Sequence, residues 1–485
     1  MTAPIIVWFR RNLRLTDNRA LSAACDTGRP IIGLYVHDSL DAGGASQWWL
    51  HQSLASLKDA LQSRGCNLLV RNGVAEAEIR SVIDASGATE LVFSRRYEPA
   101  ALAQEKVVVH ALGGDFDIEV FEDYLLRSPR DVLNLSGAPY KVFTPFWKAS
   151  TQLGEPEAPL PAPETIVSCT ADIASLDIEE LSLTPRAPDW AGGLREHWQP
   201  GEDGALQQLG EAAEIVGRYT VDRDRPDLDG TSRLSPYLHF GEISPRQVWH
   251  SINSRFAGVA NRAGADAMLR QLYWREFSWY LLVHFPTLPD NPLRPEFEHF
   301  PWSNDPELLK AWQQGQTGYP LIDAGMRQLW ATGWMHNRVR MVVASFLVKN
   351  LMIDWQTGAE WFLDTLVDAD LANNSAGWQW VAGCGTDAAP YFRIFNPVRQ
   401  SEKFDPDGDY IRRWVPELAE LPNEFIHEPW KADAMAQQLA NVRIGEDYPL
   451  PIVDLGETRK AALDAYQQVR SLLQSPAVSP GSSAG

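Results

Sequence analysis

The chain has little that would suit a membrane protein, a secreted scaffold or a nucleic-acid coat. Its longest apolar run, MVVASFLV at 341–348, still contains a serine, and Arg10 and Arg11 follow only a few apolar residues at the start. Neither a spanning helix nor a secretory leader fits that pattern, so a cytoplasmic protein is expected. Only four cysteines occur in 485 residues, Cys25, Cys66, Cys169 and Cys384, and no two form a CxxC pair. That spacing excludes a disulfide framework and the usual zinc or iron–sulfur sites, and points to reduced, buried thiols. The ten histidines include no HExxH pair, so no metal is expected. Positive charge is also short. Lys and Arg number 43 against 63 Asp and Glu, a net charge of −20. A general nucleic-acid coat is excluded, while a local basic cleft stays open. No GxGxxG follows the first strand and no GxxxxGK(S/T) occurs, so the usual dinucleotide and P-loop fingerprints are missing.

What is present is an ordinary soluble composition, 45% hydrophobic and 22% charged, in a chain long enough for two domains. Tryptophan is the outlier: of 19, thirteen lie at or beyond Trp249. Residues 1–128 alternate between two periods. Apolar runs at 5–9, 30–36, 67–70, 90–94 and 116–121 read as buried strands, with helical stretches at 18–27, 46–64, 75–86 and 99–112 between them. That alternation predicts an α/β domain with a doubly wound parallel sheet. Residues 129–200, rich in proline, read as a connector. From 201 to 474 the pattern is all-α, with helices expected at 263–284, 306–314, 320–332, 336–355 and 457–474. Residues 475–485 read as a flexible tail.

Four clusters could carry chemistry. Asn337, Arg338, Arg340 and Met341 stand on the first turns of an otherwise apolar helix, and Asn337, Arg340 and Met341 share a face. A buried amide and guanidinium need partners, either Asp368 or Asp370 inside the fold or a polar ligand. With Lys349 these arginines make a basic spot on an acidic chain. Thr231, Ser232 and Ser235, with Arg233 and Leu234 between them, precede a helix start, as an ordinary N-cap or a diphosphate cradle would. Residues 368–380 gather two carboxylates, three amides and two indoles, and a helix there puts Asn374 and Trp378 on one face. Gln271 and Trp274 lie three apart on one face of a fourth segment.

These segments together resemble the photolyase–cryptochrome family. WFRRNLRLTDNRAL (8–21) is similar to its N-terminal signature, with Asn12 where an aspartate is more usual. DGTSRLSPYLHFGEISPR (229–246), YWREF (273–277), GYPLIDAGMRQLWATGWMHNRVRM (318–341), DADLANNSAGWQW (368–380) and GTDAAPYFRIFNP (385–397) follow in the family's order. The resemblance implies a light-driven flavoenzyme with an N-terminal α/β antenna-type domain and a C-terminal helical domain holding FAD. It implies that Tyr219, Thr231, Ser232, Leu234 and Ser235 surround the cofactor's diphosphate and ribityl chain. It likewise implies that Arg340 pairs with Asp368, that Asp368 and Asp370 face the flavin and its sugar, and that Asn374 sits beside the flavin N5. Trp274, Arg275 and Asn337 belong to the same cofactor set. Trp302, Trp355 and Trp378 match the family's electron-transfer chain, which gives three of the tryptophans a function.

At the lesion-contacting positions Asn337 and Met341 resemble class I cyclobutane pyrimidine dimer photolyases, while Gln271 stands where those enzymes usually have glutamate and (6-4) enzymes glutamine. The resemblance implies that Trp274 and Trp380 stack on the flipped-out dimer, that Gln271, Asn337 and Met341 contact it, and that Arg338 and Arg393 hold phosphates. UV-damaged DNA is the expected partner, and a monomer the expected state. A second antenna chromophore is left open: Pro99-Ala100-Ala101 replaces the Asn-Glu pair that holds a pterin in folate-binding members, leaving a deazaflavin, another flavin or none. The rival readings are a (6-4) photolyase, favoured by Gln271, and a cryptochrome-type photoreceptor.

Overall fold

The computed structural model describes residues 2–38, 43–114, 116–258, 262–387 and 393–474. The expected tail at 475–485 lies outside them. The five apolar runs form strands β1 (Ile5–Phe9), β2 (Ile31–His37), β3 (Leu68–Asn72), β4 (Glu90–Ser94) and β5 (Asp117–Phe121). Every pairing is parallel and the order is β3-β2-β1-β4-β5. Four helices alternate with them: α1 (Arg19–Asp26), α2 (Gly44–Ser63), α3 (Ala75–Ser86) and α4 (Pro99–Leu112). β1 is buried along its whole length, and one side of the core gathers Ile6, Trp8, Leu34, Ile79, Leu91 and Phe93.

The order reverses at β1, so the carboxyl ends of β1 and β4 form the crevice where such sheets bind ligands. Asn12, just past β1, closes this end. Its Oδ1 accepts from the Arg10 N–H at 2.9 Å, and its Nδ2 donates to Ser94 Oγ at 3.0 Å and Asn18 Oδ1 at 3.2 Å. An aspartate there could keep the Arg10 contact and accept from the Ser94 hydroxyl, but it could not donate to Asn18 Oδ1.

The stretch 129–200 is more than a connector. It carries α5 (Phe143–Gln152), and Ser168 forms a parallel bridge to Ile31 at the start of β2. Leu176 N–H donates to Val70 O at 2.9 Å, so this segment runs back along the sheet. The contacts divide the chain into two compact units. One comprises Met1–Pro286, Leu329–Trp334 and Trp361–Asn374; the other comprises Thr287–Gln328, Met335–Glu360 and Ser375–Gly485.

The helices at Ala263–His284, Pro306–Gln313, Pro320–Thr332 and Leu455–Gln474 follow the sequence pattern closely. The expected helix at 336–355 does not run through. It is α-helical over Asn337–Ser345, widens to a π turn over Phe346–Asn350 and breaks before a new helix, Trp355–Thr365. Leu351 N–H reaches Phe346 O at 3.0 Å, and Met352 then takes a left-handed φ of 55°. Asp354 accepts from the Gln356 N–H at the start of the next helix. Burial hid this break, because the π turn is wholly buried, Lys349 and Asn350 included, and so resembles the helix before it. No helix among the described residues is long and apolar enough to cross a membrane.

Candidate functional site

In the first unit the 229–235 loop is drawn against the Tyr219–Asp222 helix by Gly230, where a Cβ would lie 2.4 Å from Asp222 O. Tyr219 and Leu234 are buried, and Thr231 and Ser232 are half-buried. Neither of those two hydroxyls is hydrogen-bonded to another described residue. Arg233, at φ 50°, turns the chain into a short helix, Ser235–Phe240. Ser235 Oγ donates to Asp368 Oδ2 at 2.6 Å, so residues 133 apart in sequence meet. A tight turn places Asp370 N–H 2.6 Å from Asp368 O.

Asp370 is buried. Its Oδ2 accepts from Trp279 Nε1 at 2.8 Å and its Oδ1 from the Asn373 N–H at 2.9 Å. Burial raises its carboxyl from the ordinary range, against the pull of Arg275. Arg275, also buried, donates to Tyr124 O at 3.2 Å and lies over the Tyr124 ring at 4.5 Å. The Tyr124 ring in turn meets Trp279 edge-on at 5.2 Å. Beside it, burial pushes Glu276 up to about 7, although the backbone N–H groups of Leu126 and Arg127 donate to it.

The structure therefore joins Ser235 to Asp368 and sets Asp370 in the field of Arg275. Asn374 is half-buried in the Leu371–Ala382 helix, its N–H donating to Asp370 O at 2.9 Å. Trp274 is 37% exposed, and Phe143 of α5 stacks flat on it at 3.6 Å and 6°. Gln271 is half-buried; its Nε2 donates to Ala267 O at 3.1 Å and its Oε1 accepts from Arg223 at 3.4 Å.

In the second unit His336 caps the helix, its Nδ1 accepting from the Arg338 N–H at 3.1 Å. Asn337 is exposed and its Nδ2 lies 3.9 Å from Met341 Sδ, which fits their shared face. Arg340 Nε donates to Met335 O at 2.7 Å, and Arg338 lies over Phe404 at 4.4 Å. Lys349 corrects the expected basic spot. It is 1% exposed, its Nζ donates to Ala382 O at 2.7 Å, and burial holds its amine well below the usual range. Arg393 is exposed and lies 6.0 Å over Phe395. Trp380 is half-buried, its Nε1 donating to Asp387 O at 3.1 Å.

Of the three chain tryptophans, Trp302 is half-buried beside Phe300, while Trp355 and Trp378 are each 3% exposed. Trp378 meets Trp312 edge-on at 6.4 Å and lies over Gly358, where a Cβ would come within 2.2 Å of the indole. Gly358, Trp312, Trp279, Tyr124, Phe143 and Arg223 were not singled out by sequence reasoning. Only Gly358, a glycine inside a helical pattern, carried a readable signal. The cysteines are free; Cys66 and Cys384 are buried, Cys25 and Cys169 only half so. Among the described residues no three His, Cys, Asp or Glu side chains gather as metal ligands.

A parallel-sheet domain followed by a helical domain, with these polar loops, defines a class, and comparison with known proteins gives the family. The model for the DNA photolyase domain matches residues 5–164, and that for the FAD binding domain of DNA photolyase matches 268–468. A deoxyribodipyrimidine photo-lyase of Agrobacterium fabrum is 46% identical, over 97% of this chain and 98% of that protein. Cryptochrome-1 of Arabidopsis thaliana is 39% identical over 96% of this chain and 70% of its own length. The crystal structure of a bacterial class III photolyase from Agrobacterium tumefaciens superposes with a TM-score of 0.95 at 46% identity, covering 97% of this chain and 98% of that one. The chain belongs to the photolyase–cryptochrome family.

Proposed function

We propose that this chain is a DNA repair enzyme that splits cyclobutane pyrimidine dimers under blue light, acting as a monomer in the cytoplasm. When bound and reduced, FAD would supply the photoexcited electron that enters the dimer and returns after the ring opens. Within the first unit the residues fit such a group. Thr231 and Ser232 offer hydroxyls that no described side chain or backbone group uses, and Gly230 leaves no room for a side chain that would lift their loop away. In this reading Tyr219, Thr231, Ser232, Leu234 and Ser235 hold the diphosphate side, and Asp368, Asp370, Arg275, Arg340, Asn337 and Asn374 hold the ring and sugar.

Trp302, Trp355 and Trp378 carry electrons inward to restore the reduced state. Their burial, half-open at Trp302 and nearly complete at the other two, suits a path from surface to interior. The lesion is met by Trp274, Trp380, Gln271, Asn337 and Met341, with Arg338 and Arg393 on phosphates. A second, antenna chromophore belongs to the reading without a chemical identity.

The observation that carries the proposal is the Ser235–Asp368–Asp370 arrangement beside an unused pair of hydroxyls, in a chain 46% identical to a deoxyribodipyrimidine photo-lyase. The lesion, rather than the photolyase class, is what is proposed: Asn337 and Met341 resemble class I enzymes, whereas one similar structure is of class III. The test is blue-light repair by dithionite-reduced protein of two oligonucleotides, one with a cyclobutane thymine dimer and one with a (6-4) product. Repair of the first alone is expected. Repair of the second alone would make Gln271 the better guide, and activity on neither would favour the photoreceptor reading that the cryptochrome relative keeps alive.

A further inference from the structure

Arg270 lies one turn before Trp274 on the Ala263–His284 helix, so the two share a face. Its guanidinium lies 4.6 Å over Trp147 and 5.3 Å over Phe143, the ring on which Trp274 is stacked. It makes no hydrogen bond or ion pair with any described residue. The acidic residue one turn earlier, Asp266, is paired with Arg262 at 2.8 Å, and Glu276 is engaged by Arg275. A guanidinium packed over two rings, with no described hydrogen-bond partner, keeps its N–H donors available to a phosphate.

The surroundings have the same sign. Residues 132–154 contain Lys141 and Lys148 and no carboxylate, in a chain of net charge −20. Both lysines are exposed, and Lys148 directly follows Trp147 on α5. A purely structural arginine on this acidic protein would be expected to hold one of its many carboxylates; this one holds none.

We propose that Arg270, fixed by Phe143 and Trp147 and flanked by Lys148, binds a phosphate of the DNA strand next to the lesion. This rests on the repair reading, in which Trp274 meets the dimer. Phe143 then serves both ends of the contact: it orients the indole for the base and the guanidinium for the backbone. The strand that delivers the lesion to Trp274 is thereby gripped within the same small surface. Phosphate contacts position and base contacts specify, so the two residues should separate in a binding experiment.

The experiment is binding in the dark by flavin-loaded protein to a dimer-containing oligonucleotide and its undamaged twin, across a series of salt concentrations. The variants are Arg270→Ala, Arg270→Lys and Trp274→Ala, with thermal midpoint and flavin absorbance recorded for each. Arg270→Ala should weaken binding to both oligonucleotides several-fold and lower the slope of log affinity against log salt by about 1. Arg270→Lys should keep most of the slope, because the charge stays. Trp274→Ala should lose affinity for the dimer oligonucleotide alone, with its slope intact. Wild-type affinity and slope in Arg270→Ala would overturn the proposal, as would a loss that tracks a lowered thermal midpoint and is not relieved by lysine. If the wild-type protein binds both oligonucleotides equally, the lesion reading fails while the slopes still judge Arg270; if it binds neither, both readings fall.

Discussion

Asp323 and Asp370 are both buried aspartates, 0% and 6% exposed, one in each unit, and they are held in different ways. Asp323 accepts four hydrogen bonds. Thr317 N–H and Oγ1–H reach its Oδ1 at 2.7 Å, and Gly318 N–H and the Tyr448 hydroxyl reach its Oδ2 at 3.0 and 2.6 Å. Every donor belongs to a segment that the aspartate ties down, so the fold explains the charge completely. Asp370 accepts from Trp279 and, by backbone and side chain, from Asn373, and lies in the field of buried Arg275, in the unit whose 229–235 loop carries Thr231 and Ser232 with no described hydrogen-bond partner. Burial raises both carboxyls, so a shifted pKa does not separate an aspartate tied wholly into the fold from one proposed to face a cofactor.

Removing each carboxylate should separate them. Asp323→Ala leaves four buried donors without an acceptor and should cost about 3–5 kcal/mol, read as a large fall in thermal midpoint. Its flavin, once the protein is folded, should dissociate no faster. Asp370→Ala strands the Trp279 and Asn373 donors and should cost about 1–3 kcal/mol, but flavin release should speed well beyond what that instability explains. Equal flavin release in the two variants would erase the distinction.

Glu242 belongs with Asp323, and its pH dependence sharpens the comparison. It is fully buried, accepting from Trp49 Nε1 at 3.1 Å, from Gly201 N–H at 2.6 Å and from the Ser53 hydroxyl, yet burial pushes it up to about 8. A carboxyl raised in the folded state binds its proton more tightly there than in the unfolded chain. Its contribution to stability is therefore greatest below the ordinary glutamate range and is lost as pH climbs to about 8. Wild-type thermal midpoint should fall between pH 5 and 8, and Glu242→Gln should flatten that fall. An unchanged slope would move its origin to Glu276, which burial raises to about 7.

The sheet was legible because its signal is local. The central strands β1, β2 and β4 are apolar runs next to helical periods, and parallel pairing buries both their faces, whereas the edge strand β5, expected to be buried, has no buried residue. What periodicity missed was a change of backbone geometry inside a buried segment, as at the π turn over 346–350 and the break before Trp355. It also misjudged Lys349, whose charge in the sequence says nothing of the Ala382 carbonyl that holds it inside. In the site, the polar members were visible as residue types, but their packing partners were not. Trp279 meets Asp370 across 91 residues, and Phe143 meets Trp274 across 131; neither aromatic is distinguishable in sequence from core. Long-range packing leaves no period to read.

Gln271 gives the smallest expected effect and the closest reading of the lesion face. Its amide is occupied at both ends, giving a proton to Ala267 O and accepting one from Arg223, whose guanidinium also lies 5.4 Å over Tyr219. Gln271→Glu loses the first bond, which only duplicates the helix's own pairing of that carbonyl, and converts the second into an ion pair. Stability should change by less than about 1 kcal/mol, since the position is half-buried. A carboxylate can accept at both oxygens, so it should bind a thymine N3–H more firmly than the amide does. Affinity for the cyclobutane-dimer oligonucleotide should therefore rise a few-fold, with binding to undamaged DNA unchanged or slightly lower from the added negative charge. If dimer affinity stays level, Arg223 is absorbing the new charge, and the double variant Gln271→Glu, Arg223→Gln should then reveal the gain.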